Sequence, residues 1–422
     1  MIIPFHVTQM LRRIRTRFDE RTPPIKESST GGRNPSFRLV RNASERTVRT
    51  YWGRLLLGAA SRSDKEQIAD PTSLAHIGTY SSNIENFIGT VKVPVGVIGP
   101  LKINGLHASG DFNVPLATTE AALVASYGRG AMIASKSGGI NTAVLYEGVM
   151  RTPAFKFNHM VDSALFAEWV VAHVEELKGV AEATTRHGKL ISIEPIIDTN
   201  IVFLICRYTT GDASGQNMVT IATNAMAEAI TARCPVIIER WYIEGNFSGD
   251  KKASYLGLST GRGRKVSASV TLPSEKVKAY LGTTVEEMLE YGKIANLGSL
   301  LSGQLGAQAH YANGLAALYL ATGQDVACVS ESAVGFTRME ARGDDLFCSV
   351  TMPNILVGSV GGGTSLPSQT AALNILGLKG AGKGAALAEV TVALCLCGEI
   401  SSVAAIAAGH FARAHHALAR LR

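Results

Sequence analysis

Apolar residues return every three to four positions over Thr118–Ser135, Val161–Val180 and Asn217–Ala232, the spacing of a helix that buries one face. Ser63–Ile68, Lys276–Leu281 and Thr284–Ile294 read as further helices. Leu300–Thr322 is long, apolar and rich in Ala and Gly, which predicts a central buried helix. Ala385–Ala417 reads as one or two more. Alternation and short apolar runs predict strands at Val91–Val97, ending in Gly99-Pro100, and at Leu190–Ile193, Ile201–Arg207, Val236–Ile243, Ser267–Leu272 and Leu346–Met352. Val357–Gly363 is a Gly-rich turn, and no internal repeat is visible.

From Val161 to Ile243 the order α-β-β-α-β fits a split-βαβ, ferredoxin-like module inserted in a larger domain. The expected fold class is therefore α+β: a large domain around a long central helix, carrying an inserted small module. A chain of 422 residues, 46% hydrophobic and 18% charged, has enough apolar material for two or three such domains.

Charge changes the picture at one end. The first fifty residues hold 11 Lys/Arg against four acids, so the net +7 of the chain resides there. The plain reading of residues 1–50 is a solvated, poorly ordered basic arm; contact with an anionic membrane is less favoured, and a nucleic-acid role is not expected. The six cysteines are scattered in apolar surroundings, and Cys395-x-Cys397 has no matching Cys/His pair, so buried thiols are expected and no metal site. The most apolar window, Val392–Ala408, is interrupted by Glu399 and several Gly and Ser, which suggests a core helix in a cytoplasmic protein.

Several fragments could carry chemistry, and each has a bland alternative. Gly377-Leu-Lys-Gly-Ala-Gly-Lys-Gly384 has phosphate-loop spacing, but the Ser or Thr that would ligate Mg²⁺ is replaced by Gly384. No GxGxxG joins a strand to a helix, so a Rossmann site is not supported. Asp250-Lys251-Lys252 follows a strand; it is either plain surface or an ammonium placed for an oxyanion, held by Asp250. Glu120 opens the 118–135 helix, where it either complements the dipole or, if partly buried, donates a proton. His310 and Asn313 share a helix face with Asp325 following, consistent with a buried polar network. His410, His415 and His416 do not have metal-ligand spacing, and one of them acting as a general acid is the better reading.

Taken in order, the fragments resemble one family. Glu85–Gly89, Pro94–Leu101, Ala117–Glu120, Met150–Pro153, Thr210–Asp212, Asp250–Lys252, Gly323–Asp325, Val360–Thr364 and Ala407–His410 are similar to the motifs of the HMG-CoA reductases, with the Asp-Lys-Lys and Val-Gly-Gly-Gly-Thr forms of the class I branch. The resemblance implies two NADPH-dependent hydride transfers that convert 3-hydroxy-3-methylglutaryl-CoA to mevalonate and CoA. It implies Lys251 at the oxyanion, Glu120 as proton donor, Asp325 between them and His415 protonating the departing thiolate. Arg151, Asp250, Lys252, Lys293 and Asn313 would meet the acyl group, and Ser126, Arg129 and His310 would lie near CoA. For NADPH it implies the turn Asp212-Ala-Ser-Gly215-Gln-Asn217, the pair Thr185-Arg186 on the 2′-phosphate, and Gly361, Gly362 and Gly363. It also implies a small NADPH-binding domain at 153–243, a large catalytic domain at 51–152 and 244–422, and a homodimer or dimer of dimers with shared sites.

The sequence departs from the family at Glu244, where a serine is usual next to the substrate carboxylate, and at Ser214, Ser402 and Ala414. A carboxylate facing a carboxylate is unfavourable unless a cation such as Arg151 lies between them. Glu244 therefore leaves open a related acyl-CoA reductase of altered specificity, beside a catalytically poor homologue that only binds CoA or NADPH.

Overall fold

The computed structural model describes residues 8–10, 12, 37 and 39–410. Most of the basic arm and His415 and His416 lie outside that range. The chain forms two compact units, 1–92 and 93–422.

In the first unit four helices, α1 (Glu45–Leu55), α2 (Arg62–Ile68), α3 (Pro71–Ala75) and α4 (Ile77–Tyr80), surround Val48, Trp52, Ala69, Ile77 and Phe87. Their starts are set by side chains that satisfy orphan amides: Ser44 and Ser61 form capping boxes, and Asp70 caps α3 ahead of Pro71. The Glu85–Gly89 motif closes this unit through Asn86, whose Oδ1 accepts from Val40 N (2.8 Å) and Tyr51 Oη (2.9 Å).

The second unit is built on an eleven-stranded sheet system. Strands β1 (Val95–Gly105), β2 (Ser109–Ala117), β3 (Ile140–Arg151), β8 (Gly263–Leu272), β9 (Gly306–Ala307), β10 (Gly335–Arg342) and β11 (Asp345–Ile355) make one part. The other part is β4 (Ala154–Lys156), β5 (Lys189–Asp198), β6 (Ile201–Thr209) and β7 (Arg240–Tyr242), in the order β7-β4-β6-β5 with every neighbour antiparallel. Strand β3 joins the two: residues 141–148 pair with β8, and Val149–Arg151 pair with β6. Arg151 is thereby delivered to the junction.

The helices are α5 (Leu123–Lys136), α6 (Met160–Ala172), α7 (Val174–Glu182), α8 (Gln216–Arg233), α9 (Tyr255–Thr260), α10 (Val285–Ser302), α11 (Tyr311–Thr322), α12 (Pro367–Leu376) and α13 (Gly384–Ala407). Helix α13 is long and apolar enough to cross a membrane, yet 89% of its most apolar window is buried inside the protein. Two carboxylates on it are fully satisfied. Glu389 accepts from the amides of His107, Ala108 and Val144, and Glu399 from the amides of Ala309 and His310 and from Thr337 Oγ1.

Several boundaries differ from the sequence expectation. Leu300–Thr322 is not one helix. Gly303, at φ 70°, ends α10, and the Glu399 carboxylate captures the Ala309 and His310 amides that a continuous helix would need, so α11 starts only at Tyr311. The central buried helix is α13 instead. Helix α5 starts at Leu123, so Glu120 lies in the turn before it, with its amide donating to Thr118 Oγ1 (3.0 Å). Helical periodicity over 161–180 hides a break at His173. Strand β1 runs through Gly99-Pro100 because β2 pairs on both sides of it. Strands β2, β3, β4, β9 and β10 were not anticipated: buried and exposed positions do not alternate cleanly in β2 and β3, and β4 and β9 are only three and two residues long.

Helix α5 crosses α13 at Gly130, where a Cβ would lie 2.0 Å from the Cys397 carbonyl oxygen. Gly130→Ala should therefore force the helices apart and destabilise the fold by about 1–3 kcal/mol, read as a lowered midpoint in thermal unfolding. An unchanged midpoint would show that the contact is soft.

Candidate active site

The loop between β7 and α9 carries the two adjacent lysines. Backbone at Asn246, Gly249 and Lys251 is left-handed, with φ 59°, 69° and 58°. A lysine in that region is uncommon and persists only where its surroundings over-determine it. Two carboxylates from one segment do so: Glu331 Oε1 accepts the Lys251 amide (3.2 Å), and Asp325 Oδ2 lies 2.9 Å from Lys251 Nζ. The hydrogen bond to Asp325 raises Lys251 above the ordinary lysine range, so the ammonium persists at neutral pH.

Behind this loop lies a buried ionic cluster. Arg151 Nη1 donates to Glu244 Oε2 (2.9 Å) and Asp250 Oδ2 (3.3 Å). Arg262, 1% exposed, bonds to Glu331, to Asp250 Oδ1 (2.9 Å) and to Gln216 Oε1 (2.8 Å). Burial pushes the Glu331 carboxyl up, and Arg262 opposes that. Glu244 also accepts from Ser248 Oγ (2.9 Å), so both Arg151 and Ser248 lie against it. Arg151 Nε and Glu244 Oε1 remain buried without a protein partner. Lys252 is exposed, its Nζ on the Asp250 carbonyl (2.9 Å).

The remaining expected residues form separate groups. Asn313 Nδ2 donates to Glu120 Oε1 (3.3 Å), and Glu120 is exposed instead of partly buried. His310 is the residue before α11 and does not share a helical face with Asn313; its carbonyl accepts the Asn313 amide (3.2 Å). Lys293 and His310 line a cavity of about 640 Å³ with Tyr291, Gln308, Thr337 and Glu399, a size that suits a small ligand. Ser126 Oγ contacts Ser401 Oγ (3.0 Å), and Arg129 spends its guanidinium on Ser401 Oγ and O (3.1 and 2.6 Å), tying α5 to α13.

A third group suits a phosphate-bearing cofactor. Asp212 accepts from the Gly382 and Gly384 amides (2.7 and 2.9 Å). Burial works against its charge, but those amides and Arg264 hold it below the usual carboxylate range. The phosphate-loop-like segment thus binds a carboxylate of its own chain, and Asp212 shapes the turn. Gly215 precedes α8, and Asn217 in its first turn is exposed. Thr185 Oγ1 accepts from the His187 and Gly188 amides (3.2 Å each), leaving Arg186 exposed. Gly361 and Gly362 have φ 76° and 52°, and a Cβ on either would meet open space, as a backbone cradle for a large anion requires. The Gln324 amide locks this loop to the segment carrying Asp325, exchanging two hydrogen bonds with Gly358 (2.8 and 3.0 Å).

Arg262, Glu331 and Gln216 were not singled out from the sequence. The available signal was charge between glycines, Gly261-Arg-Gly-Arg264, at the start of an alternating strand.

Comparison with known proteins agrees with this chemistry. Residues 54–420 match the family model described as Hydroxymethylglutaryl-coenzyme A reductase. The chain is 42% identical over 357 residues to the 3-hydroxy-3-methylglutaryl-coenzyme A reductase of Methanothermobacter thermautotrophicus, covering 82% of this chain and 89% of that protein. It is 42% identical over 386 residues to that of Aeropyrum pernix, covering 90% of each. Its fold is similar to the class II enzyme of Streptococcus pneumoniae bound to NADPH in open conformations (TM-score 0.63, 17% identity, 84% and 86% covered). The narrower resemblance to the class I branch is not supported by these archaeal relatives. The chain belongs to the hydroxymethylglutaryl-CoA reductase family, as an NADPH-dependent oxidoreductase that converts 3-hydroxy-3-methylglutaryl-CoA to mevalonate.

Proposed function

We propose that one site serves both reductive steps, and that Lys251, fixed at its backbone by Glu331 and at its ammonium by Asp325, is its centre. An ammonium held beside the substrate carbonyl stabilises the oxyanion as it forms, at the thioester and again at the aldehyde. NADPH, when bound, supplies one hydride at each step. Glu120, positioned by Asn313, donates a proton to the aldehyde oxygen. His415 belongs to the reading as the acid for the CoA thiolate. Arg151, Asp250, Lys252 and Lys293 contact or frame the acyl group, and Ser126, Arg129 and His310 lie toward CoA.

The cofactor residues follow the same reading. Arg186 would hold the 2′-phosphate, Gly361–Gly363 would offer the cradle, and the Asp212–Asn217 turn with Thr185 would set their surroundings. Thr185, Arg186 and the Asp212–Asn217 turn belong to a domain of 153–243, set in a large domain of 51–152 and 244–422 that contributes Gly361–Gly363. The small domain's antiparallel order β7-β4-β6-β5, with helices on the connections, supports a ferredoxin-like module. A homodimer or dimer of dimers completes the reading. The exposed Leu297, Leu300 and Leu301 of α10 support it, since such residues are usually covered.

NADPH oxidation with purified protein and HMG-CoA should consume two NADPH per mevalonate; a folded protein that binds NADPH without turnover would reopen the altered-substrate reading at Glu244. Lys251→Ala should abolish both steps, whereas His415→Gln should impair thioester reduction and spare mevaldehyde reduction.

Because Asp325 raises Lys251, the active ammonium is lost only as pH rises through that raised value. Asp325→Asn should therefore move the alkaline limb of mevaldehyde reduction to lower pH. Arg186→Ala should raise the KM for NADPH by roughly tenfold or more and leave that for NADH unchanged. Equal effects on both would remove Arg186 from the 2′-phosphate.

A further inference from the structure

Beyond its hold on the Lys251 amide, the buried pair Arg262–Glu331 has no role in the chemistry derived above, yet it contacts both the lysine loop and the cofactor turn. Glu331 is 1% exposed and its carboxylate holds the Lys251 amide at 3.2 Å. Arg262 joins Glu331 to Asp250 of the lysine loop and to Gln216, the first residue of α8 in the cofactor turn. Asn354 fixes both ends of the pair through their backbones: its Oδ1 accepts the Arg262 amide (2.8 Å) and its Nδ2 donates to the Glu331 carbonyl (3.0 Å). An arginine and a glutamate this deep are costly to bury, and replacing such a pair by apolar residues is often neutral for stability. Their placement is better explained by position. They meet a lysine whose backbone is held in a conformation that non-glycine residues avoid.

We propose that Arg262 and Glu331 are positioning residues that hold Lys251 in its left-handed backbone and fix the lysine loop to the cofactor turn. The inference rests on the reading of Lys251 as the oxyanion group. Glu331 supplies the single acceptor for the Lys251 amide, and Arg262 keeps that acceptor charged and aimed. Without them the loop relaxes toward ordinary backbone angles and the ammonium leaves the reacting carbonyl. Binding of NADPH would be little affected, because Gln216 is only one contact of α8.

The test measures kcat and KM with HMG-CoA and with mevaldehyde for Glu331→Gln, Arg262→Lys and Lys251→Ala. Thermal midpoints and hydrogen exchange at the Lys251 amide are measured alongside. Glutamine cannot accept from both Lys251 and Arg262, so Glu331→Gln should lower kcat for both substrates by one common factor, roughly 10- to 100-fold. The KM for NADPH should stay within about twofold, and exchange at Lys251 should accelerate. Arg262→Lys retains a charge but not the three-way reach, so it should show the same pattern to a smaller degree; it decides the matter alone if Glu331→Gln does not fold. A folded variant with wild-type kcat and unchanged exchange, or one that loses NADPH affinity in place of kcat, overturns the proposal. Turnover surviving in Lys251→Ala would instead sink the reading of Lys251, while exchange at that amide in the other two variants still reports on the pair.

Discussion

Two carboxylates on the buried helix α13 must be satisfied inside the core, and their donors determine much of the layout around them. Of its 24 residues, 21 are buried. Glu389 recruits amides from the turn between β1 and β2 and from β3, pinning one end of the sheet to the helix. Glu399 recruits the turn before α11 and Thr337 of β10, which positions His310 at the cavity. Burial raises Glu399, while the hydroxyl of Thr337 and the two amides oppose the shift. An unpaired carboxylate here would cost several kcal/mol, so the turns are fixed as firmly as the apolar packing.

The site is assembled on that frame by ionic contacts between segments distant in sequence. Strand β3 brings Arg151, the loop after β7 brings Glu244 to Lys252, Arg262 immediately precedes β8, and the segment after α11 brings Asp325 and Glu331. Asp250 sits between two arginines, and Lys251 Nζ pairs with Asp325. The division leaves the exposed Lys251 ammonium above a buried cluster of two arginines and three carboxylates. Exposed pairs of this kind contribute little to stability; at Lys251 the gain is orientation.

Parts of this were legible in advance. The α-β-β-α-β order over 161–243 needed only local periodicity, and it matches the observed elements apart from the break at His173 and the shortness of β7. The Asp-Lys-Lys loop stood out because two lysines beside an aspartate after a strand suggest chemistry, though surface would show the same letters. The resemblance to a family favours chemistry there, which composition and spacing alone do not.

The sequence by itself determined the family, the reaction, the cofactor and the helical or extended state of most apolar segments, because these follow from motif order and from periods of 3.6 and 2. Only the tertiary structure decided where Leu300–Thr322 breaks, which helix is central, and which carboxylate meets which cation. Breaks set by a distant carboxylate, such as Glu399 taking the Ala309 and His310 amides, leave no local trace in the chain. Nor does the pairing of Arg262 with Glu331, 69 residues apart, since long-range electrostatic partners are chosen by the fold that first brings them together.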